Sequence, residues 1–338
     1  MGEHLHGNQT QTVVGQKELV SIIAPAYNEE ASIEAFVARL ASSIAPLANR
    51  YDFEFILVDD GSRDATLQIL KKLAHSEARL RVVELRRNYG QTPALQAGFD
   101  VAEGQIFVTM DSDLQHFPEE IPLFLQKLSE GYDMVCGWRH ERQEGVVRRW
   151  PSRAANALIR KISGIQIHDF GTTFRAYRAE LAHDIDLFGE FHRFIPVLGK
   201  IAGAKITELP IKNIERPGGK SNYGLGRTVG VFFDLLVLHF LINYMDRPIR
   251  AFGKVAAILA IAATAIYSAL LGIAFAYNIP SVREHSGWFM MATLFMIAAI
   301  QIALSGILAE LLIRIHYSIG DRKVYKVRRI WDKRSSKS

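Results

Sequence analysis

The sequence predicts an α/β fold: a mostly parallel sheet flanked by helices, followed by an interfacial helix and two transmembrane helices. Two patterns support this prediction. Short apolar or β-branched runs alternate with helix-like stretches between Leu19 and Gly137, and the long uncharged runs lie in the C-terminal third of the 338 residues. Strands that alternate with helices in this way are typical of parallel βαβ units. The long apolar runs indicate a membrane anchor attached to that domain.

The composition excludes several classes of protein. Hydrophobic residues are 49% and charged residues 22%, which is typical of a folded chain rather than a disordered one. The net charge of +5 is too small to indicate nucleic acid as a partner. One cysteine, Cys136, excludes a disulfide framework and a thiolate metal cluster. Residues 1–17 are polar, so we expect an N-terminal extension without a cleaved signal peptide.

Each element of the α/β part follows from its local pattern. Ser62 or Asp64 can cap the second predicted helix, and Pro118 suits the first turn of the fourth. The predicted strands are residues 19–24, 53–58, 80–85, 105–110 and 133–137, and the predicted helices are residues 32–44, 64–76, 92–102 and 118–130.

Two uncharged runs predict a transmembrane hairpin, residues 251–314. The run from Val255 to Tyr277 would form a helix about 34 Å long, enough to cross a bilayer. The second run extends from Trp288 to Leu308 and continues past Glu310. The link between the runs holds a single basic residue, whereas the tail, residues 315–338, is rich in lysine and arginine. The positive-inside rule therefore places the tail and the N-terminal domain on the cytoplasmic side.

The segment between the α/β domain, residues 18–226, and the hairpin is ambiguous. Residues 227–250 include the run from Thr228 to Tyr244, which is apolar around most of its circumference. It is interrupted by Asp234, His239 and Asn243, and it is short for a third span. We predict a juxtamembrane helix in the interface. Packing into the core of the soluble domain explains the pattern equally well.

Polar residues gather where the predicted strands end. In parallel sheets, ligands bind beyond the carboxyl ends of the strands. Taken singly, these residues could be turn residues, helix caps or surface charges. Their occurrence after every strand favours a binding site on one rim. The segments are residues 25–30, 59–64, 86–90, 111–116 and 138–139.

Asp111 and Asp113 are the residues of that rim that most specifically indicate a chemical role. Two carboxylates one residue apart can bind a hard divalent cation, Mg²⁺ or Mn²⁺, and Gln115 could add a carbonyl oxygen. The cation would neutralise a departing diphosphate. Other motifs are absent: no Gly-x-Gly-x-x-Gly follows the first strand, and the sequence contains neither His-Glu-x-x-His nor Gly-x-Ser-x-Gly.

Four motifs together resemble the family-2 glycosyltransferases of the polyprenyl-phosphate type. They are Pro25-Ala-Tyr-Asn-Glu, Asp59-Asp60-Gly-Ser-x-Asp64, Asp111-Ser-Asp-Leu-Gln and Gly137-Trp-Arg. The resemblance implies a GT-A type domain and an inverting, metal-dependent transfer. The donor would be a nucleotide-sugar, with a UDP-sugar favoured over a GDP-sugar, and the acceptor a polyprenyl phosphate such as undecaprenyl phosphate. It also allows a homo-oligomer.

The resemblance assigns roles to individual residues. The catalytic set would be Asp111, Asp113 and Arg139. The donor would contact Pro25, Tyr27, Glu29, Asp59, Asp60 and Asp111. The metal would be held by Asp111, Asp113 and Gln115, and the acceptor phosphate by Arg139, Arg148, Ser152 and Arg216. The chain departs from the usual family pattern at Ser112, Trp138, Gln91, Lys220 and Asn222.

Two other functions fit parts of the sequence. A processive polysaccharide synthase would carry Gln-x-x-Arg-Trp, but Val146 occupies the glutamine position before Arg149-Trp150. A non-catalytic subunit that binds nucleotide-sugar or lipid is less consistent with the complete acidic set. We therefore predict a hexosyltransferase of the bacterial inner membrane that serves cell-envelope glycosylation, with both termini and the catalytic domain in the cytoplasm.

Overall fold

The protein is described by a computed structural model that covers residues 17–140, 156–157, 159–161, 163–185, 187, 191–212, 214, 240, 244, 249–277, 285–319 and 327–332. The chain divides into two units. One comprises Met1–Gly224 with Val324–Ser338, and the other comprises Leu225–Lys323.

The first unit is built on one mixed, mostly parallel sheet. Its described strands are β1 (Glu18–Ala26), β2 (Tyr51–Asp59), β3 (Leu80–Leu85), β4 (Ile106–Thr109), β5 (Met134–Arg139), β6 (Arg175–Arg178), β7 (Ile206–Ile211) and β8 (Val327–Trp331). They are ordered β7-β5-β6-β4-β1-β2-β3-β8. The flanking helices are α1 (Ile33–Ile44), α2 (Thr66–Ser76), α3 (Gln91–Val101), α4 (Ile121–Ser129), α5 (Ala179–Asp184) and α6 (Ile195–Ile201).

The central strands match the sequence pattern closely. β4, β1, β2 and β3 are parallel neighbours, and their apolar residues are buried on both faces of the sheet. Helices cover both faces, which explains why these strands are continuously apolar rather than alternating. In the register, Ala26 lies opposite Asp59, and Asp59 lies opposite Glu84. The carboxyl ends of the parallel strands therefore form one rim, as predicted.

The second half of the sheet was only partly predicted. β6 runs antiparallel between β4 and β5, and β7 is parallel to β5 at the far edge. β6 has four residues and carries an arginine at each end, so it shows no clear strand pattern. Strand β5 continues to Arg139, so Trp138 and Arg139 are its last two residues rather than the first residues of a following loop.

Part of the basic tail is a strand, to which the sequence analysis assigned no element. β8 pairs antiparallel with β3 at the opposite edge of the sheet. Two of its five residues, Val-Arg-Arg-Ile-Trp, are arginines inside a basic tail, which masks the strand preference of the other three.

The second unit contains two long helices, α7 (Ile249–Tyr277) and α8 (Ser286–Ile319). Residues 249–276 and 286–312 are each long and apolar enough to span a membrane. The helices pack together where Gly306 contacts Phe252, and the Tyr267 hydroxyl lies 2.9 Å from Oγ1 of Thr293. Of the expected interfacial helix, residues 227–250, the structure describes Phe240, Tyr244 and the last two residues, which are the first residues of α7; the rest lies outside the described residues.

Candidate active site

The loops after β1 and β2 form one wall of the rim because they bind each other through reciprocal hydrogen bonds. The Asn28 N–H donates to Oγ of Ser62 at 3.0 Å, and the Arg63 N–H donates to Oδ1 of Asn28 at 2.8 Å. The Ala65 N–H donates to Oε2 of Glu30 at 2.9 Å. Asn28 adopts φ +56°, a conformation that asparagine tolerates better than most residues. The two loops predicted to bind the donor are therefore joined to each other by hydrogen bonds.

Asp60 holds a third loop against this wall. Its buried carboxylate accepts the N–H groups of Tyr89 at 2.7 Å and Gly90 at 2.8 Å. Burial raises the pKa of Asp60 to about 6, although these two hydrogen bonds act to lower it. The neighbouring Gly61 adopts φ +69°, and a Cβ there would lie 2.4 Å from the carbonyl carbon of Arg87. Asp60 thus organises the loop between β3 and α3.

Asp59 is buried beside another carboxylate. Its Oδ2 accepts the Ser62 N–H at 3.3 Å, whereas its Oδ1 is buried and has no hydrogen-bond partner among the described residues. Burial raises the pKa of Asp59, and the negative charge of Glu84 on β3 adds to that effect. This oxygen is positioned to accept a hydrogen bond from a ligand.

Asp111 follows β4 and is contacted on both carboxylate oxygens. Gln91 Nε2 donates to Oδ1 at 2.9 Å, and Nε2 of the buried His116 lies 3.7 Å from Oδ2. Burial acts to raise the pKa of Asp111, but His116, Thr173 and Arg139 together outweigh it, so the pKa lies below its usual value. Gln91, one of the departures from the family pattern, therefore orients the first acid of the Asp-x-Asp motif.

Asp113 has the opposite electrostatic environment. Its Oδ1 accepts the Gln115 N–H at 3.1 Å across Leu114, which has φ +63°. Burial raises the pKa of Asp113, and the negative charge of Asp111 raises it further. Two carboxylates one residue apart suit a hard divalent cation. The described part of the chain contains no cluster of three or more His, Cys, Asp or Glu ligands.

Three further predicted residues lie at the end of β1. The carbonyl oxygen of Pro25 accepts a hydrogen bond from Ser112 Oγ at 2.9 Å, which joins the first strand to the Asp-x-Asp loop. Glu29 accepts a hydrogen bond from Ser32 Oγ at 2.8 Å. Tyr27 is 39% exposed, unusually high for a large ring beside a buried core. Its exposed ring is suited to stacking on a planar ligand.

Arg139 is the described member of the predicted acceptor set. Its Nε and Nη2 donate to Asp169 at 2.7 and 3.0 Å, and Asp169 also accepts the Gly171 N–H at 3.0 Å. Beside this pair, Trp138 stacks on His168 with ring centroids 4.4 Å apart. Asp169 therefore fixes the orientation of the guanidinium. The other members of the set, Arg148, Ser152 and Arg216, lie outside the described residues.

The sequence analysis missed a buried polar group next to Asp111. Thr92 Oγ1 lies 2.8 Å from Nδ1 of His192, and the Arg175 guanidinium donates to the His192 carbonyl at 2.8 Å. Burial, with the charges of nearby arginines, lowers the pKa of His192 to about 4, so the ring is neutral. Thr92 and His192 are 100 residues apart in sequence, and no local pattern signals their contact.

Comparison with known proteins agrees with this geometry. Residues 21–186 match the family described as "Glycosyl transferase family 2". The chain is 38% identical to the dodecaprenyl-phosphate galacturonate synthase of Rhizobium johnstonii, over 94% of both chains. It is 34% identical to an undecaprenyl-phosphate 4-deoxy-4-formamido-L-arabinose transferase of Pseudomonas aeruginosa, covering 93% of this chain and 90% of the other.

Solved structures show the same fold at lower identity. Glucosyl-3-phosphoglycerate synthase from Mycobacterium tuberculosis, in complex with phosphoglyceric acid, aligns with a TM-score of 0.51 and 22% identity. The alignment covers 66% of this chain and 79% of the other, and it supports a GT-A like sheet. With nearly full-length relatives and the Asp-x-Asp rim in place, the chain belongs to glycosyltransferase family 2, among the polyprenyl-phosphate sugar transferases.

Proposed function

We propose that the protein transfers a sugar from a nucleotide-sugar to a polyprenyl phosphate at the cytoplasmic face of the bacterial inner membrane. The observation that carries this proposal is the joint presence of the acidic rim and the apolar hairpin. The rim can bind a nucleotide diphosphate, and the hairpin would keep it beside a lipid acceptor. The full-length similarity to polyprenyl-phosphate transferases supports the same acceptor class.

The donor would lie along the loops after β1, β2 and β3. Tyr27 offers an exposed ring for the base, and the unpartnered Oδ1 of Asp59 offers an acceptor for a hydroxyl or N–H group. Asp60 contributes indirectly, because its carboxylate is engaged by the amides of Tyr89 and Gly90. We favour a UDP-sugar. One structure of the Mycobacterium tuberculosis enzyme, with a TM-score of 0.50, is a complex with UDP and Mn²⁺.

Asp111 and Asp113 would hold Mg²⁺ or Mn²⁺ on the donor diphosphate, with Gln115 as a further oxygen ligand. The cation would supply Lewis-acid stabilisation of the leaving diphosphate. The protein's own contribution is preorganisation: Gln91 and His116 orient Asp111 before the donor binds. Such preorganised charges lower the barrier because they need not rearrange during the reaction.

The acceptor needs little activation. A phosphate monoester is already anionic near neutral pH, so its oxygen can attack the anomeric carbon without a strong base. The new carbon–oxygen bond forms as the bond to the nucleoside diphosphate breaks on the opposite face, which inverts the configuration. Arg139, oriented by Asp169, would hold the acceptor phosphate in line. We assign Arg148, Ser152 and Arg216 to the same phosphate.

The experiment uses full-length protein in detergent with undecaprenyl phosphate, Mg²⁺ or Mn²⁺, and a panel of labelled UDP- and GDP-sugars that includes uronic acids and pentoses. We expect label in a mild-acid-labile lipid, and its loss when the metal is chelated. Free nucleotide without a lipid product would indicate another acceptor, such as a growing polysaccharide. Absence of turnover with every donor would favour a non-catalytic subunit.

Asp113→Asn tests the metal role directly. We expect transfer to fall at least 10²-fold, because the amide removes a charge from a site that stabilises a developing diphosphate. Asp52→Asn is the matched control, since Asp52 is an exposed carboxylate whose side chain is 65% accessible. Transfer by Asp113→Asn at the wild-type rate would remove the metal role assigned to this residue.

A further inference from the structure

The end of the chain supplies a strand to the catalytic sheet. In the antiparallel pairing of β8 with β3, Val83 lies opposite Ile330 and Val82 lies opposite Trp331. These C-terminal residues follow the apolar hairpin in sequence but belong to the same unit as the active-site strands. Without them, the outer edge of β3 would present unpaired backbone N–H and C=O groups. β8 therefore completes the sheet beside the donor loops.

A buried carboxylate holds this strand in place. Glu84 on β3 is 5% exposed and accepts hydrogen bonds from Nε1 of Trp331 at 3.1 Å and from Arg328 at 3.3 Å. Lys71 on α2 lies 3.1 Å from the same carboxylate and 4.2 Å above the Trp331 ring. Among the described residues, β8 thus provides two of the three groups that neutralise or hydrogen-bond Glu84.

Glu84 is a direct neighbour of the donor site. It lies opposite Asp59 in the register of β2 and β3, and like charges at opposed positions destabilise a sheet. Trp331 and Arg328 offset this repulsion by binding Glu84. If β8 were removed, Lys71 would be the single described cation on Glu84, and more of its charge would act on Asp59.

The same strand leads into the loop that shapes the site. β3 ends at Leu85, and the following loop donates the Tyr89 and Gly90 amides to Asp60. Gln91, the next residue, donates to Asp111. The position of β3 therefore sets the position of residues 86–91. These residues contact two carboxylates of the site, Asp60 and Asp111.

We infer that β8 is required for donor binding. Through Glu84 and β3, it holds residues 86–91 against Asp60 and Asp111. The site is therefore complete only when the strand that follows the apolar hairpin in sequence is paired with β3. The catalytic consequence rests on the proposed function. Donor binding would then be reserved for chains whose C-terminus lies on the same side of the membrane as the catalytic unit.

Two C-terminal truncations of the protein test the inference. One ends at Lys326 and lacks β8, and the matched control ends at Asp332 and lacks the last residues without losing β8. We expect the chain ending at Lys326 to bind UDP with Mn²⁺ at least tenfold more weakly than the control, as measured by titration calorimetry. A synthetic peptide of residues 324–338 should restore most of the affinity by strand addition.

Hydrogen exchange provides a readout that needs no substrate. The Tyr89 and Gly90 amides should exchange at least tenfold faster in the chain ending at Lys326, and faster than in the wild type in Trp331→Phe. The Met110 amide, which donates to the Ile23 carbonyl at 3.2 Å, reports whether the central sheet is intact. Trp331→Phe keeps the strand and the Glu84 charge but removes the indole N–H that binds Glu84, so it tests the inference even if truncation prevents folding.

The outcomes are distinguishable. Equal exchange at residues 86–91 in the two truncated chains, with the Met110 amide protected in both, would overturn the inference. Failure of the peptide to restore UDP binding in a folded chain ending at Lys326 would also overturn it. If the wild-type chain neither binds UDP nor transfers sugar, the proposed function fails, and the exchange measurement still decides the role of β8.

Discussion

Asp60 is a buried carboxylate whose two oxygens accept backbone N–H groups from the loop after β3. Burial raises its pKa from 3.8 to about 6, so the native state holds a proton more readily than the unfolded chain. The contribution of Asp60 to the free energy of unfolding is therefore largest at low pH. It declines as pH rises from about 4 to about 6, by at most about 3 kcal/mol.

Asp60→Asn tests this pH dependence. We expect the difference between the melting temperature at pH 5 and that at pH 7 to be smaller in the variant than in the wild type, because the asparagine does not titrate. Any loss from weaker acceptance of the Tyr89 and Gly90 amides is independent of pH and cancels in the difference. An unchanged difference would show that Asp60 titrates near its ordinary pKa. Intrinsic fluorescence of the detergent-solubilised protein provides the melting temperatures.

Alanine substitutions at Gly61 and Gly131 distinguish the effect of backbone strain from the effect of steric contact. Both adopt positive φ, +69° and +94°, so alanine would cost about 1–2 kcal/mol at either position. A Cβ at Gly61 would also lie within 2.4–2.8 Å of the Arg87 and Asn88 backbone, whereas Gly131 has open space. We expect Gly61→Ala to weaken UDP binding about tenfold, and Gly131→Ala to leave it within about twofold. Equal UDP affinities in calorimetric titrations of the two variants would contradict a tight contact between these loops.

At the scale of elements, the sequence predicts the strands and helices whose apolar pattern is local. The predicted and observed bounds of β1 to β4 and α1 to α4 differ by a few residues. β6 and β8 were not predicted because they are short and rich in arginine, and such residues form strands only when neighbouring strands supply the hydrogen bonds. Their existence is a property of the assembled sheet.

The packing of α7 on α8 depends on a small residue. A Cβ at Gly306 would lie 2.7 Å from Cβ of Phe252, whereas one at Gly272 would meet nothing within 4 Å. We expect Gly306→Val to separate the helices at a cost of about 1–3 kcal/mol and to lower the melting temperature. Gly272→Val, with the same change in helix propensity, should lower it far less. Similar losses in both variants would indicate that the helices do not approach closely at Gly306.

For the whole molecule, the pairing of β8 with β3 constrains the membrane topology. Both ends of the hairpin connect to the catalytic unit, so we expect the chain between them to cross the membrane an even number of times. Two spans, each long enough to cross, meet this condition. The basic tail favours the cytoplasm for the shared side.

Cysteine labelling tests this topology, since Cys136 is buried and contributes little background. We expect an impermeant maleimide to label Ser281→Cys in intact spheroplasts and to label Ser336→Cys only after permeabilisation. Labelling of both positions from the outside would contradict a cytoplasmic C-terminus. Labelling of neither before permeabilisation would contradict a hairpin that crosses the bilayer.

The sequence by itself determined the α/β alternation, the rim of polar residues at the strand ends, the Asp-x-Asp motif and the two apolar helices. These features are local, since each follows from a continuous stretch of sequence: short for the strands, helices and motifs, and longer for the apolar runs. Tertiary structure decided what each rim residue contacts: Asp60 binds a loop, Asp59 keeps one oxygen without a partner among the described residues, and Gln91 orients Asp111. It also joined Thr92 to His192, and Glu84 to Trp331, across 100 and 247 residues. Such contacts depend on how the assembled sheet brings distant segments together, and no local pattern encodes them.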